Sequence, residues 1–221
     1  MENSGPPISV EKFEDGPVWT IGYLVYRKPA GEAIVIDVPM WSGEKIYRRV
    51  RELGLTVKYI VATHGHWDHT GEMRRLKDLT GARVCANVGD EWMMKNPNGM
   101  VISPPERIEP VSIDVPLTDE VRLEFDDAHF EIVHTPGHSA GSVCLYFETE
   151  GIIFTGDTLF AGSIGRVDLP TGSMDEISTS ITGRLMTLPD QVRIFPGHGP
   201  DSTIGKERIG NQFVRMMTGK V

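Results

Sequence analysis

Apolar residues fall into short continuous runs and into longer stretches at helical spacing. Ile8 to Glu14, Thr20 to Tyr26 and Ala33 to Asp37 predict three strands, parted by D-G-P and K-P-A-G-E turns. Ile46, Val50 and Leu53 share one face of a helix from Gly43 to Leu53, with Ser42 as its cap and Gly54 as its stop. An apolar run from Val57 to Ala62 predicts a buried strand, followed by a helix from Gly71 to Leu79 and a strand from Arg83 to Ala86. Gly89 to Lys95 is expected to be a short helix, and N-P-N-G-M-V-I-S-P-P-E-R at 96 to 107 a long loop. Trp92, Met94 and Met100 are candidates for a lid or substrate wall, with core packing the simpler expectation for the first two.

The second half runs strand after strand: Val121 to Phe125, Phe130 to His134, Ser142 to Phe147 and Ile152 to Thr155. A helix from Met174 to Leu185, a strand from Val192 to Phe195 and a helix from about Gly205 to Met216 close the chain. Residues 1 to 7 are expected to fray. Strands followed by helices, twice over and with no linker, predict one domain over residues 1–221. Its two similar halves (about 8–118 and 119–221) form two mixed sheets packed together, with helices outside.

Composition narrows the partners. With 39% hydrophobic and 24% charged residues, the 221-residue chain is of the soluble globular type. A net charge of -9 repels phosphate backbones, and R-R-V-R at 48 to 51 reads as a solvated helix face, so nucleic acid is not expected. No stretch approaches a membrane span, and the acidic N-terminus lacks an apolar signal-peptide core, so a cytoplasmic enzyme of a small-molecule substrate is expected. Cys85 and Cys144 lie in apolar strand runs and read as small buried hydrophobes. Oligomeric state leaves no mark on the sequence.

The chemistry concentrates at T-H-G-H-W-D-H, residues 63 to 69. His64, His66, Asp68 and His69 follow a strand directly, on the loop at its C-terminal end, where open α/β sheets place ligands. Imidazole and carboxylate groups suit divalent zinc, iron or manganese. Two residues apart on extended backbone, His64 and His66 point the same way, while Asp68 and His69 turn off in a second direction, which suggests two neighbouring metal positions. Three other strand ends share the pattern: F-E-I-V-H-T-P-G-H delivers His138, I-I-F-T-G-D delivers Asp157, and V-R-I-F-P-G-H-G delivers His198. Glycine before each of these residues lets the backbone approach closely. Five of the seven histidines occupy such positions.

H-x-H-x-D-H followed by T-P-G-H-S, T-G-D-T-L-F and F-P-G-H-G resembles the metallo-β-lactamase superfamily over about residues 18 to 213. The resemblance implies an αββα sandwich with a metal site along one edge of its sheets. It implies one metal on His64, His66 and His138, a second on Asp68, His69 and His198, and Asp157 bridging them. Asp157 speaks against the antibiotic-degrading branch, which usually has Cys or Ser there. G-D-T-L-F and G-R-x-D-x-P are most similar to glyoxalase II-like hydrolases, which cleave thioesters such as lactoylglutathione. The chain departs from the full-length enzymes of that group in having 23 residues after His198, and in having Gly22 where Asn is common. A thioester hydrolase is therefore better supported than glutathione as its thiol.

The implied reaction uses two divalent ions, zinc foremost with iron or manganese as alternatives, and a hydroxide between them that attacks the thioester carbonyl. Asp68 is the candidate catalytic residue, orienting that hydroxide and accepting its proton. Arg166 is a candidate clamp for a substrate carboxylate, with Asp168 holding it in place. Thr63, Thr135 and Thr155 flank ligands and are candidates to fix histidine tautomers, whereas His134 is expected to be structural. Two further activities share these residues: a persulfide dioxygenase with one iron, and a lactonase.

Overall fold

The computed structural model describes residues 7–119 and 121–219; all but the last of the residues expected to fray lie outside them. The first sheet holds β1 (Ser9–Asp15), β2 (Thr20–Tyr26), β3 (Glu32–Ile36), β4 (Thr56–Val61), β5 (Arg83–Ala86) and β6 (Val115–Pro116), in that spatial order. β1 to β3 run antiparallel and β3 to β6 parallel. The second sheet holds β7 (Arg122–Phe125), β8 (Ala128–His134), β9 (Val143–Phe147) and β10 (Ile152–Gly156). A separate ribbon pairs β11 (Leu159–Phe160) with β12 (Ser163–Ile164), and β13 (Arg193–Pro196) and β14 (Ser202–Thr203) complete the second sheet. Its order is β14-β13-β10-β9-β8-β7, with β10 and β13 parallel.

Both sheets are mixed and each is covered by helices on its outer face, an αββα sandwich. The alternation along each strand explains this. Tyr23, Val25, Ile34, Ile36 and Val61 point inward to meet Phe125, Phe130, Phe147, Phe154 and Phe195 of the opposite sheet. The intervening Leu24, Val35 and Ile60 point outward, against α1 (Gly43–Leu53) and, beyond a single helical turn α2 (Trp67–Thr70), against α3 (Met73–Thr80) and α4 (Glu91–Lys95). On the second sheet Cys144, Ile153 and Ile194 face α5 (Met174–Gly183), α6 (Ile204–Gly210) and α7 (Gln212–Met217). Strands buried on both faces read as unbroken apolar runs, which is why they stand out in the sequence. Between the sheets, Phe130 stacks on Phe147 at 5.0 Å and Phe154 on Phe195 at 5.1 Å.

Several expectations are corrected. Ser42 precedes α1 but does not cap it; its hydroxyl donates to Pro39 O, and Glu72 Oε2 accepts from Gly43 N at 2.6 Å instead. The helix expected from Gly71 begins at Met73, so its N-terminus does not abut the ligand loop; Asp68 and His69 ride on their own turn, α2. The last helix breaks at buried Asn211, whose side chain accepts from Phe213 N and Val214 N, capping α7, and donates to Ser163 O. Among the described residues no helix is long and apolar enough to cross a membrane.

Phe147 is fully buried between the sheets. Replacing it with Ala is expected to destabilise the fold by about 3–5 kcal/mol, read as a lowered midpoint in urea unfolding at unchanged slope.

Candidate metal centre

The C-terminal ends of β3, β4, β10 and β13 meet at one edge, because each pair β3/β4 and β10/β13 is parallel. There the two sheets are tied by main-chain bonds from Val143 N to Thr63 O and from Ile21 N to Gly197 O, both 2.8 Å. The loop after β4 supplies His64 and His66, α2 supplies Asp68 and His69, and the β8–β9 loop supplies His138. Asp157 follows β10 and His198 follows β13. Three overlapping sets have ligand atoms within 4.8 Å of one another: His64, His66 and His138; His64, His69 and Asp157; Asp68, His69 and His198. All seven residues singled out from the sequence are thus brought together.

Two glycines make room for this. Gly156 has φ +46°, and a Cβ there would press on Thr63 Oγ1 at 2.5 Å. At Gly197 a Cβ would lie 2.6 Å from His69 Cε1 and collide with Asp157 Oδ1. A side chain at Gly197 would displace Asp157 and His69, and one at Gly156 would displace Thr63, which supports His64.

Hydrogen bonds behind the rings fix which nitrogens face inward. Thr63 Oγ1 donates to Asp37 Oδ2 at 2.8 Å, so it accepts from His64 Nδ1 at 3.2 Å. His138 Nδ1 donates to Arg166 O at 2.8 Å, and His69 Nδ1 to Asp37 Oδ2 at 2.7 Å. With the ring proton on Nδ1, the Nε2 atoms of His64 and His138 present lone pairs, and that of His69 does so once a metal has displaced its second proton. His64 Nε2 and His138 Nε2 lie 3.2 Å apart, and His66 Nδ1 lies 2.9 Å from His138 Nε2. His69 Nε2 is buried with no hydrogen-bond partner, 3.4 Å from Asp68 Oδ2 and 3.3 Å from Asp157 Oδ1. Lone pairs aimed at one another in a buried space repel unless a cation sits between them. The donor set therefore fits divalent metal, and Asp157 faces both groups: its Oδ1 is near His69, its Oδ2 near His198 at 3.5 Å and His138 at 3.7 Å.

The titration behaviour of the polypeptide alone follows. Burial, with the neighbouring imidazoles, pushes His64 well below its ordinary value, and burial pushes His66 down to about 4. Burial also acts against charge on His69, but Asp157, Asp68 and Asp37 outweigh it and hold that ring well above its ordinary value. His198 is raised: burial again opposes the charge, and the hydrogen bond to Asp68 with the charge of Asp157 overcomes it. Burial would raise Asp68 and Asp157, yet the facing His69 and His198 keep both below the ordinary carboxylate range. A metal takes the place of such protons when it binds.

Of the threonines expected to support the ligands, only Thr63 does so. Thr135 Oγ1 bonds Thr158 Oγ1 at 3.0 Å, and Thr155 Oγ1 donates to Leu159 O at 2.9 Å. His134 is structural, through Nε2 to Ala140 O at 2.9 Å. Sequence reasoning missed three supporting residues. Asp37 holds Thr63 and His69 from φ +56°; its signal was an apolar strand ending in an acid, the same pattern that marked the ligands. Thr20 donates to Asp68 Oδ2 at 2.9 Å. Buried Asp90 accepts from Gly65 N, Gly141 N and Ser139 Oγ, which joins the His64–His66 loop to the His138 loop. No motif surrounds Thr20 or Asp90.

Cys85 and Cys144 are buried free thiols, pushed by burial up to about 12 and about 11, and neither is a nucleophile at neutral pH. Above the cluster lies a cavity of about 410 Å³ with His66, His138, Asp157 and His198 at its floor. Arg166 is on its wall, with Nε and Nη2 engaged by Asp168 at 2.7 and 2.8 Å. Met94 packs in the core as expected, but Trp92 joins Met100 on the cavity wall.

The sequence matches the profile of the Metallo-beta-lactamase superfamily over residues 22–198. The chain belongs to this superfamily. It is 35% identical over 190 residues to the hydroxyacylglutathione hydrolase GloC of Haemophilus influenzae, covering 82% of this chain and 87% of that protein. Among solved structures, BLEG-1, described as a B3 metallo-beta-lactamase, superposes with a TM-score of 0.83 at 31% identity over 93% of this chain and 99% of its own. TTHA1623 in a di-iron-bound form gives 0.80 at 32% over 92% and 100%. ETHE1 from Myxococcus xanthus gives 0.77 at 25% over 95% and 90%.

Asp37→Ala is expected to weaken metal affinity by about 10–100-fold, measured by competitive titration against a chromogenic chelator. Stripping the metal should lower the melting temperature, since an ion present at a hundred times its Kd contributes about 2.7 kcal/mol; an unchanged Tm after chelation would mean that the cluster holds no metal.

Proposed function

We propose that the chain is a metallo-hydrolase that cleaves thioesters. In this reading His64, His66 and His138 hold one divalent ion, Asp68, His69 and His198 hold a second, and Asp157 is shared. The carrying observation is the convergence of the inward Nε2 atoms of His64, His138 and His69, fixed by hydrogen bonds from their Nδ1 atoms to Thr63, Arg166 O and Asp37. The halves contribute ligands jointly, so they function as one domain. Zinc is the first choice for both positions, with iron or manganese compatible with the same donors. When bound, such ions polarise a carbonyl and lower the pKa of water toward about 7.

The protein's own residues do the rest. Asp68 is the proton acceptor: it remains a carboxylate, and Thr20 fixes its Oδ2 beside His69 and His198. Asp37 and Arg166 O hold the imidazoles of His69 and His138 in their ligating tautomers. The walls around the cluster exclude water from the substrate's flanks. Arg166 and Asp168 form a fixed pair at the rim, where Arg166 lines the cavity as a candidate substrate contact. The kinship with GloC supports thioester hydrolysis. The similarity to ETHE1 favours a second reading, the one-iron persulfide dioxygenase, in which only the first set binds metal.

Metal content of the native protein, paired with turnover of S-lactoylglutathione, of a lactone and of the chromogenic β-lactam nitrocefin, and with oxygen uptake on glutathione persulfide, separates these readings. Two ions per chain with thioester cleavage and no oxygen uptake is expected. One iron with oxygen consumption would replace the hydrolase by the dioxygenase, and turnover confined to the lactone or to nitrocefin would replace the thioester.

A further inference from the structure

The cavity above the cluster is polar at its floor and apolar on its walls. Val18 comes from the β1–β2 turn, Trp67 from α2, Trp92 from α4, Met100 and Ile102 from the following loop, and Leu169 from the segment before α5. Val18, Trp92 and Ile102 each remain more than 40% exposed (42%, 42% and 44%) although they are large and hydrophobic. Exposed apolar surface gathered around a polar centre marks a ligand-binding groove rather than ordinary surface.

The wall is held in place. Trp67 Nε1 donates to Ile102 O at 2.8 Å, and Asn98 clamps the base of the loop by bonding both Ile108 N at 3.0 Å and Ile108 O at 2.8 Å. Met100 packs on the buried cluster of Met40, Trp67 and Ile108. The apolar face is therefore presented before any ligand arrives.

Charge points the same way. Among the described residues that line the cavity, Arg166 is the one Lys or Arg, and Asp168 already engages its Nε and Nη2. A glutathione moiety brings two carboxylates and one ammonium group, all well hydrated. Moving them onto this wall would remove water from charges without pairing them, which is unfavourable. An uncharged hydrocarbon or aryl group loses nothing there and gains apolar burial.

Resting on the thioester reading above, we propose that the substrate is a neutral, apolar thioester, with a hydrocarbon acyl chain and an uncharged thiol half in place of glutathione. Val18, Trp92, Met100 and Ile102 are the residues that select it.

The test compares two thioesters with the same acyl group, S-hexanoyl-N-acetylcysteamine (neutral) and S-hexanoylglutathione (charged), with S-lactoylglutathione as the polar-acyl control. Binding to the metal-loaded protein is read by tryptophan fluorescence and turnover by thiol release. The neutral thioester is expected to bind more tightly and to show a higher kcat/KM by at least about tenfold, a discrimination within reach of one or two methylenes in an apolar pocket. The double substitution Trp92→Ala with Ile102→Ser should weaken its binding by about tenfold while changing that of S-lactoylglutathione much less. Equal or better use of either glutathione thioester would overturn the apolar assignment and leave thioester hydrolysis standing. Tight binding of the neutral thioester without cleavage of any of the three would retain the apolar site and overturn the thioesterase. Absence of binding by the neutral thioester would also overturn the assignment.

Discussion

Lone pairs from buried histidines point at one another across the sheet edge, and much of the surrounding structure exists to keep them there. The Nε2 atoms of His64 and His138, 3.2 Å apart with both ring protons engaged at Nδ1, form an arrangement that the polypeptide cannot satisfy internally. It persists because each ring is anchored from behind: His64 on Thr63, His138 on Arg166 O, His69 on Asp37. Those anchors are in turn set by the ends of parallel strands. The αββα packing is thus what makes a self-repelling cluster possible, since the apolar interior between the sheets supplies the stability that the cluster itself does not.

The two halves are tied together beside the cluster. Main-chain bonds link Val143 to Thr63 and Ile21 to Gly197, and Asp90 reaches from the first half to the backbone and hydroxyl of the β8–β9 loop. Asp90 is buried, and burial raises its pKa, so its three hydrogen-bond donors are what make its carboxylate tolerable there. The geometry of His66 relative to His138 depends on this one acid, although it contacts neither ring.

Much of this was legible in the sequence. Strands buried on both faces announce themselves as continuous apolar runs, and the clustered residues announce themselves as His and Asp at the ends of those runs, four of the seven directly after glycine. What was not legible has a common character. Glu72 capping α1 from the start of α3, Thr20 on Asp68 and Asp90 between two loops are all contacts between residues distant in the chain. Local signals misled where tertiary partners intervened: Ser42 stands in a capping position yet bonds Pro39, and Thr135 and Thr155 stand beside ligands yet bond elsewhere. Trp92 shows the opposite case, a large apolar residue on a short helix that faces the cavity instead of the core.

The clamp of Asn98 on Ile108 has a consequence for access. A wall tied down in this way leaves the cavity open to solvent as it stands. The same fastening leaves the cluster within reach of bulk solvent between turnovers, His198 being a quarter exposed. Solvent exchange at the second set of donors can therefore proceed without any rearrangement of the chain.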